Sequence, residues 1–435
     1  MSHTLESGEP TPPDQRPDAE SAAAAAQPAV SEQQSTADPA AEAEVAPVAV
    51  APLTSVKASG AVDGPPPVVV PPEGDVLPEA DLATAPESAA PTWTVSFGFN
   101  LAKIAGHGED SDPILGTGRD EMGLVAVFDG MGGAGGTVYQ TPDGPRTGAF
   151  LGSRVAREVV EQRMSEVLNV GDQLDGPAAA EDLRRCVEVA LAARLAELHA
   201  PRSGLRSKLL RALPTTMALA AVQRREPDDA TWTCHLWWAG DSRVYALDPT
   251  RGAHQLTIDD IRDQGDALAN LRDDSVVSNA MSADTPFEIH YRTVELSAPF
   301  LLVAATDGCF GYFRSPMHFE HLILATLLDT PDTQSWSNAV QEQITAITGD
   351  DASMALLGAG ADHDGFRTLF ADRLTTLANR WVTPLDELTT EVDQRQAELE
   401  TLRERQSEHT AELWADYKVD YLRYLAPPTP VAGPS

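Results

Sequence analysis

Positive charge is scarce in this chain: 31 lysines and arginines stand against 66 aspartates and glutamates, a formal net charge of −35 over 435 residues. Such a surface repels nucleic acid and anionic lipid, so neither is an expected partner, while cations and basic proteins are. Cysteine is scarcer still. Cys186, Cys234 and Cys309 are odd in number and far apart, which excludes a disulfide framework or a zinc-ligand pattern and suits reduced thiols in cytoplasm. Long apolar runs are missing too, and nothing approaches membrane-spanning length. The opening MSHTLESGEP lacks the basic-then-apolar pattern of a secretory signal, so the expected location is cytoplasmic.

What is present divides the chain. Residues 1–91 are Ala, Pro, Glu, Ser and Val without an aromatic, carrying 15 acidic and 2 basic residues. Prolines break helices there and little can be buried, so this stretch reads as a disordered acidic tail. From about residue 92 short β-branched and aromatic runs appear between turns: WTVSFGFNLAKIAG, GLVAVFDG, TTMALAAVQ, TWTCHLWWAGDSRVYAL, EIHYRTVELS, FLLVAATDG and ASMALLGAG. Helical periodicity marks Leu151–Val155–Val159 and Leu183–Val187–Leu191–Leu195, and later MHFEHLILATLL and SWSNAVQEQITAIT. Strands followed by clustered helices predict an α+β layered domain with mainly antiparallel sheet over 92–361. Beyond it, 362–426 predicts a helical extension, a hairpin or partial coiled coil. Thr383 would cap its second helix and Pro384 would open it. Residues 427–435 read as a frayed, disordered end.

The stretch LVAVFDGMGGAGG, residues 124–136, ends an apolar run on a lone carboxylate followed by glycines. Gly130 to Gly135 has the spacing of a dinucleotide fingerprint. That motif needs a helix opening on the glycines to meet a pyrophosphate, whereas TVYQTPDGPRTG follows here, and Asp129 would repel the anion. The other reading is that Asp129 serves a ligand that wants oxygen donors. Asp241 in AGDSR and Asp307 in TDG likewise end apolar runs, and Asp350 in GDDAS begins one. Carboxylates gathered at one rim of a sheet cannot all stay ionised without counter-cations, and hard divalent ions answer that need.

Taken in order, GED at 108–110, VFDGMGG at 127–133, TTMALAAV at 215–222, AGDSRVYAL at 239–247, QLTIDD at 255–260, LLVAATDG at 301–308 and DDASMALL at 350–357 resemble the metal-dependent protein serine/threonine phosphatases of type 2C. The resemblance covers most of 93–360. It implies two packed antiparallel sheets flanked by helices, and two Mg2+ or Mn2+ ions with a weaker third. By the same resemblance Asp129 bridges both ions, Asp307 and Asp350 complete one, and Glu109 with the Gly130 carbonyl serves the other. Asp110 orients water from behind, and Asp241 serves the third ion. A water held between the ions attacks the phosphorus of phosphoserine or phosphothreonine in line, without a phosphoenzyme. The implied partners are a phosphoprotein substrate and a Ser/Thr kinase.

The chain departs from that pattern at named positions. Ala105 stands where family members place a phosphate-gripping arginine, leaving Lys103 and His107 as candidate replacements or as ordinary surface residues. Met131 replaces a histidine of eukaryotic members and points to a bacterial member. The acidic stretch 253–284 falls at the family's variable flap and either selects basic phosphopeptides or is a solvated helix and loop. Phe310, Tyr312 and Phe313 read as core or interface, and Cys309 as a small buried residue. Ala105 motivates a second function, a pseudophosphatase scaffold. The 362–426 extension motivates a third role, in docking or self-association.

Overall fold

Successive residues of the apolar runs leave by opposite faces, and both faces are covered. The computed structural model describes residues 93–118, 122–170, 174–198, 210–224, 231–263, 265–272 and 276–425. The tail expected over 1–91 and the end expected over 427–435 lie outside them. The strands are β1 (Trp93–Leu101), β2 (Ile114–Thr117), β3 (Gly123–Val127), β4 (Val138–Thr141), β5 (Gly144–Thr147), β6 (Met217–Arg224), β7 (Thr231–Ala239), β8 (Arg243–Asp248), β9 (Gly252–Gln255), β10 (His290–Ser297), β11 (Phe300–Ala305) and β12 (Ala352–Ala359). The helices are α1 (Gly132–Gly135), α2 (Gly148–Val170), α3 (Gly176–Glu197), α4 (Ala267–Arg272), α5 (Asp307–Phe310), α6 (Pro316–Asp329), α7 (Thr333–Ile347), α8 (His363–Leu377) and α9 (Thr383–Tyr421).

Two antiparallel sheets form, ordered β1-β12-β11-β8-β9 and β10-β7-β6-β3-β2, and β4-β5 make a separate hairpin. Val125, Val127, Ala218, Ala220 and Val222 face Phe300, Leu302, Ala304, Ala355 and Leu357 in the core between the sheets. The alternate residues Leu301, Val303, Met354 and Leu356 turn outward under α6, α7 and α8, with Trp336, Val340 and Phe366. On the other side Leu124, Ala126, Leu219 and Ala221 meet Leu183, Val187 and Leu191 of α3 and Val160 of α2. A strand buried on both faces reads as a continuous apolar run, which is why LLVAA and MALAAV show little polar alternation. The layer order is helix, sheet, sheet, helix, as the resemblance implied. Among the described residues no helix is long and apolar enough to cross a membrane.

The register fixes which ends meet. Val127 pairs with Ala218 and Met217 with Ala239, so the end of β3, the start of β6 and the end of β7 share one edge. Ala305 pairs with both Met354 and Arg243, and Leu101 with Ala352, which sets the ends of β11 and β1 beside the starts of β8 and β12.

The extension after Ala361 differs from a hairpin. α8 is capped by the Asp362 carboxylate, which accepts from the Gly365 N–H, and it buries Phe366, Phe370 and Leu377. It then runs without reversal through a π-helical turn, Ala378–Val382, into α9. Thr383 is not a cap: it is helical, and its N–H reaches back to the Ala378 carbonyl. Pro384 supplies the reason, because it has no N–H to offer and its ring crowds the carbonyl four residues earlier, so the ladder widens there. No residue of α9 is buried, and Asp386 in its first turn meets Arg314 and His318 in partly exposed ion pairs.

Such pairs contribute at most about 1 kcal/mol. A chain ending at Val382 is therefore expected to melt within about 4 °C of the full chain by calorimetry; a larger loss would mean that α9 is packed on the domain.

Candidate active site

Seven acidic side chains collect at the end of the sandwich where those strand ends meet. Asp129 follows β3 and Asp241 follows β7, Asp307 opens α5 directly after β11, and Asp350 and Asp351 precede β12. Glu109 and Asp110 come from the loop between β1 and β2. That loop is pinned by Ser111 N–H to the Phe128 carbonyl at 3.2 Å and by Asn100 Nδ2 to the Asp110 carbonyl at 3.0 Å. The tandem threonines of TTMALAAV hold the strand tip, with Thr216 N–H and Thr215 Oγ1 donating to the Asp129 carbonyl at 2.9 and 2.6 Å.

Glycine is required where these segments cross. A Cβ on Gly130 would run into the Glu109 carbonyl, and one on Gly308 into the Asp351 carbonyl. The glycines beside the acids are there for close approach of backbones, not for a dinucleotide. One helical turn, α1, does open on the glycines, contrary to the expectation that none would, but it gives way at once to the β4-β5 hairpin.

The acids form two linked groups. Asp110, Asp129, Asp241 and Asp307 act on one another, and Glu109 sits with Asp350 and Asp351. Asp110 is buried, accepting the Gly130 N–H at 3.3 Å and the Thr306 hydroxyl at 2.9 Å. Asp110 and Asp129 lie within reach of each other, an interaction that raises Asp129 and lowers Asp110. Burial, with the charges of Asp110 and Asp307 added, pushes Asp129 well above the usual carboxylate range. Burial pushes Asp110 up to about 7, with Asp307 adding to the rise, and pushes Asp241 up to about 8, again with Asp307. Glu109 is raised by burial and by Asp351 and Asp350, opposed by the Thr147 hydroxyl and Arg154. The Asp241 Oδ1 atom is buried with no hydrogen-bond partner among the described residues.

These observations test the fit of divalent cations. Among the described residues no three acidic, histidine or cysteine side chains are arranged to hold one metal ion. The donor set still has the right chemistry. It is all hard oxygen, burial and mutual charge raise its carboxyls above their ordinary range, and one buried oxygen lacks a hydrogen-bond partner among the described residues.

Other predicted residues behave differently. Lys103 and His107 are exposed; the Lys103 N–H, not its ammonium, donates to Asp351 Oδ1 at 2.8 Å, and neither side chain reaches the acids among the described residues. The loop is held through its backbone, which turns both side chains to solvent. Asp350 is exposed and accepts the Asp351 N–H at 2.8 Å. Asp259 and Asp260 of the flap segment do not offer themselves to a basic peptide. Asp259 is buried in a two-pronged pair with Arg243, and Asp260 accepts from the Gly240 N–H and Asn279.

Sequence reasoning missed Asp351 and Arg154. Asp351 joins the segments by accepting the Lys103 and Glu109 N–H groups. Arg154 of α2 donates to the carbonyls of Gly108, Glu109 and Asp110, and its guanidinium lies 3.5 Å from the Phe150 ring centre. The doubled acid at 350–351 was the available signal for the first. Nothing in the periodic pattern of α2 marked the second. Cys309 is buried beside the site, its thiol donating to the Ser353 carbonyl at 3.3 Å and pushed well above its ordinary value by burial.

The Protein phosphatase 2C family model matches residues 111–347, more than half of the chain. The chain belongs to the protein phosphatase 2C family. The family match spans Asp129, Gly130, Asp241 and Asp307; Glu109 and Asp110 lie just before it and Asp350 just after. Among solved structures the chain is similar to the serine/threonine phosphatase PstP/Ppp of Mycobacterium tuberculosis, 16% identical over 61% of this chain and 98% of that one, with a TM-score of 0.43. Stp1 from Staphylococcus aureus is 14% identical over 61% and 95%, with a TM-score of 0.42. The PstP catalytic domain in complex with 2 manganese ions is 15% identical over 61% and 98%, with a TM-score of 0.40. No curated protein matches the sequence.

Asp241 binds its proton more tightly in the folded chain than in the unfolded one. In the metal-free protein the stability it contributes is therefore full below about pH 4 and is lost as pH rises through about 8. In chelator, Asp241→Asn should melt above the wild type by a margin that is larger at pH 8.5 than at pH 5.5. A variant that melts lower at pH 8.5 would contradict this electrostatic account.

Proposed function

We propose that this phosphatase 2C member is a bacterial, cytoplasmic enzyme that removes phosphate from phosphoserine and phosphothreonine in proteins, opposite a Ser/Thr kinase. The observation that carries the reading is the carboxyl cluster itself: Asp110, Asp129 and Asp241 are pushed above the usual carboxylate range by burial and by the charge of Asp307 beside them. Groups so placed have a use for cations. Two Mg2+ or Mn2+ ions, with a weaker third, would supply an activated water and screen the phosphoryl oxygens.

This chain's own residues have the following parts. Asp129 would bridge the two ions, Asp307 and Asp350 would complete one, and Glu109 with the Gly130 carbonyl would serve the other. Asp110 orients the Gly130 peptide and Thr306 through its two oxygens, so it positions the segments that bear the ligands. Asp241, with its unpartnered oxygen, would hold the third ion. The free cysteines are consistent with a reducing compartment.

Ala105 favours a second reading, in which the domain binds ions or phosphoprotein without turnover and acts as a scaffold. Release of phosphate from an aryl phosphate by the purified chain, abolished by chelator and restored by Mn2+, separates the two. Asp129→Asn and Asp307→Asn should each reduce Mn2+-dependent hydrolysis of a phosphopeptide to background while far-ultraviolet dichroism stays unchanged. Undiminished turnover in both variants would defeat the mechanism.

A further inference from the structure

A phosphoryl dianion approaching this rim meets seven carboxyl groups, and beyond any metal it needs a cation from the protein. Four arginines stand near enough to consider, and three are spent. Arg154 gives its hydrogen bonds to the carbonyls of Gly108, Glu109, Asp110 and Phe150. Arg243 is closed in its buried pair with Asp259. Arg211 turns to the carbonyls of Val277 and Ser278.

Arg146 is different. It lies on β5 of the hairpin inserted between the glycine turn and α2, one residue before Thr147, whose hydroxyl donates to Glu109 Oε1 at 2.5 Å. Its Nη1 donates to the Gly106 carbonyl at 3.1 Å, and that carbonyl is its one hydrogen-bond acceptor among the described residues. Its guanidinium lies 4.5 Å from the centre of the Phe150 ring, which holds the plane at little entropic cost. The Gly106 contact places it on the loop of Ala105, where the expected arginine is missing.

We propose that Arg146 is the phosphate-gripping residue of this site, a cation delivered by the β4-β5 hairpin to the position that Ala105 leaves empty. It binds the phosphoryl oxygens of a phosphopeptide, or inorganic phosphate as product, through the donors that Gly106 does not use. A planar guanidinium meets a phosphate with two parallel hydrogen bonds, which neither Lys103 nor His107 can do. The inference rests on the phosphatase reading for its substrate and on the hairpin geometry for its residue.

The test uses the full chain with Mg2+ and three forms: wild type, Arg146→Ala and Arg146→Lys. Steady-state kinetics on a phosphopeptide are measured together with calorimetric titration of inorganic phosphate. In Arg146→Ala, KM and the phosphate dissociation constant should rise about tenfold or more while kcat changes less than about threefold. Arg146→Lys should recover part of both. Constants within twofold of wild type in Arg146→Ala would overturn the assignment. If Arg146→Ala does not fold, Arg146→Lys decides, since wild-type phosphate affinity in it would also overturn it. Wild-type phosphate binding without turnover, lost in Arg146→Ala, would keep the phosphate site and discard the phosphatase reading. Turnover by wild type that Arg146→Ala leaves untouched would do the reverse, and a wild type with neither would discard both.

Discussion

Like charges forced together out of water are the constraint around which this end of the molecule is arranged. Two unit charges about 4 Å apart repel by about 4 kcal/mol at the effective dielectric of a protein surface region. The strand register drives Asp110, Asp129, Asp241 and Asp307 into one small region regardless, because β3, β7 and β11 all end there. The repulsion raises the proton affinity of Asp110, Asp129 and Asp241 in the chain as it stands. Divalent ions would relieve it more completely and leave every oxygen occupied, including the stranded Asp241 Oδ1.

The rest of the framework serves that convergence. Each sheet is buried on both faces, so neither can slide by one residue without exchanging a core against α6–α8 or α2–α3 for the core between the sheets. The loops bearing the acids are tied to each other through backbone groups, by Asp351, Arg154 and Thr215. The ligand-bearing tips are thus held by the fold even where the acids oppose one another.

Much of this was legible in the sequence, and the boundary of what was legible has a physical shape. Continuous apolar runs betrayed buried strands, and the acids at 129 and 307 that end them betrayed carboxylates gathered at one rim; that their glycines allow backbones to cross emerged only from the structure. What stayed hidden was anything depending on which backbone carbonyl a long side chain reaches. Arg154 and Arg146 look in sequence like solvated arginines, while Lys103 and His107, nearer the acids in the chain, face solvent. The acids at 259 and 260 read as a charged surface and instead lock the flap inward. Pro384 read as a helix start and does stand in the first turn of α9, but the chain enters that helix through a widened turn rather than a break.

The thiol of Cys309 has a further bearing on chemistry. Peroxide and alkylating agents attack thiolates, and a buried thiol held neutral while donating to Ser353 offers almost none. Cys234 is buried and neutral in the same way. Oxidative stress, which silences any enzyme that works through a sulfur nucleophile, should leave this rim intact. If the rim takes divalent ions as proposed, its weakness lies elsewhere, in acid and in scarcity of those ions, where protons would win the contest for the same oxygens.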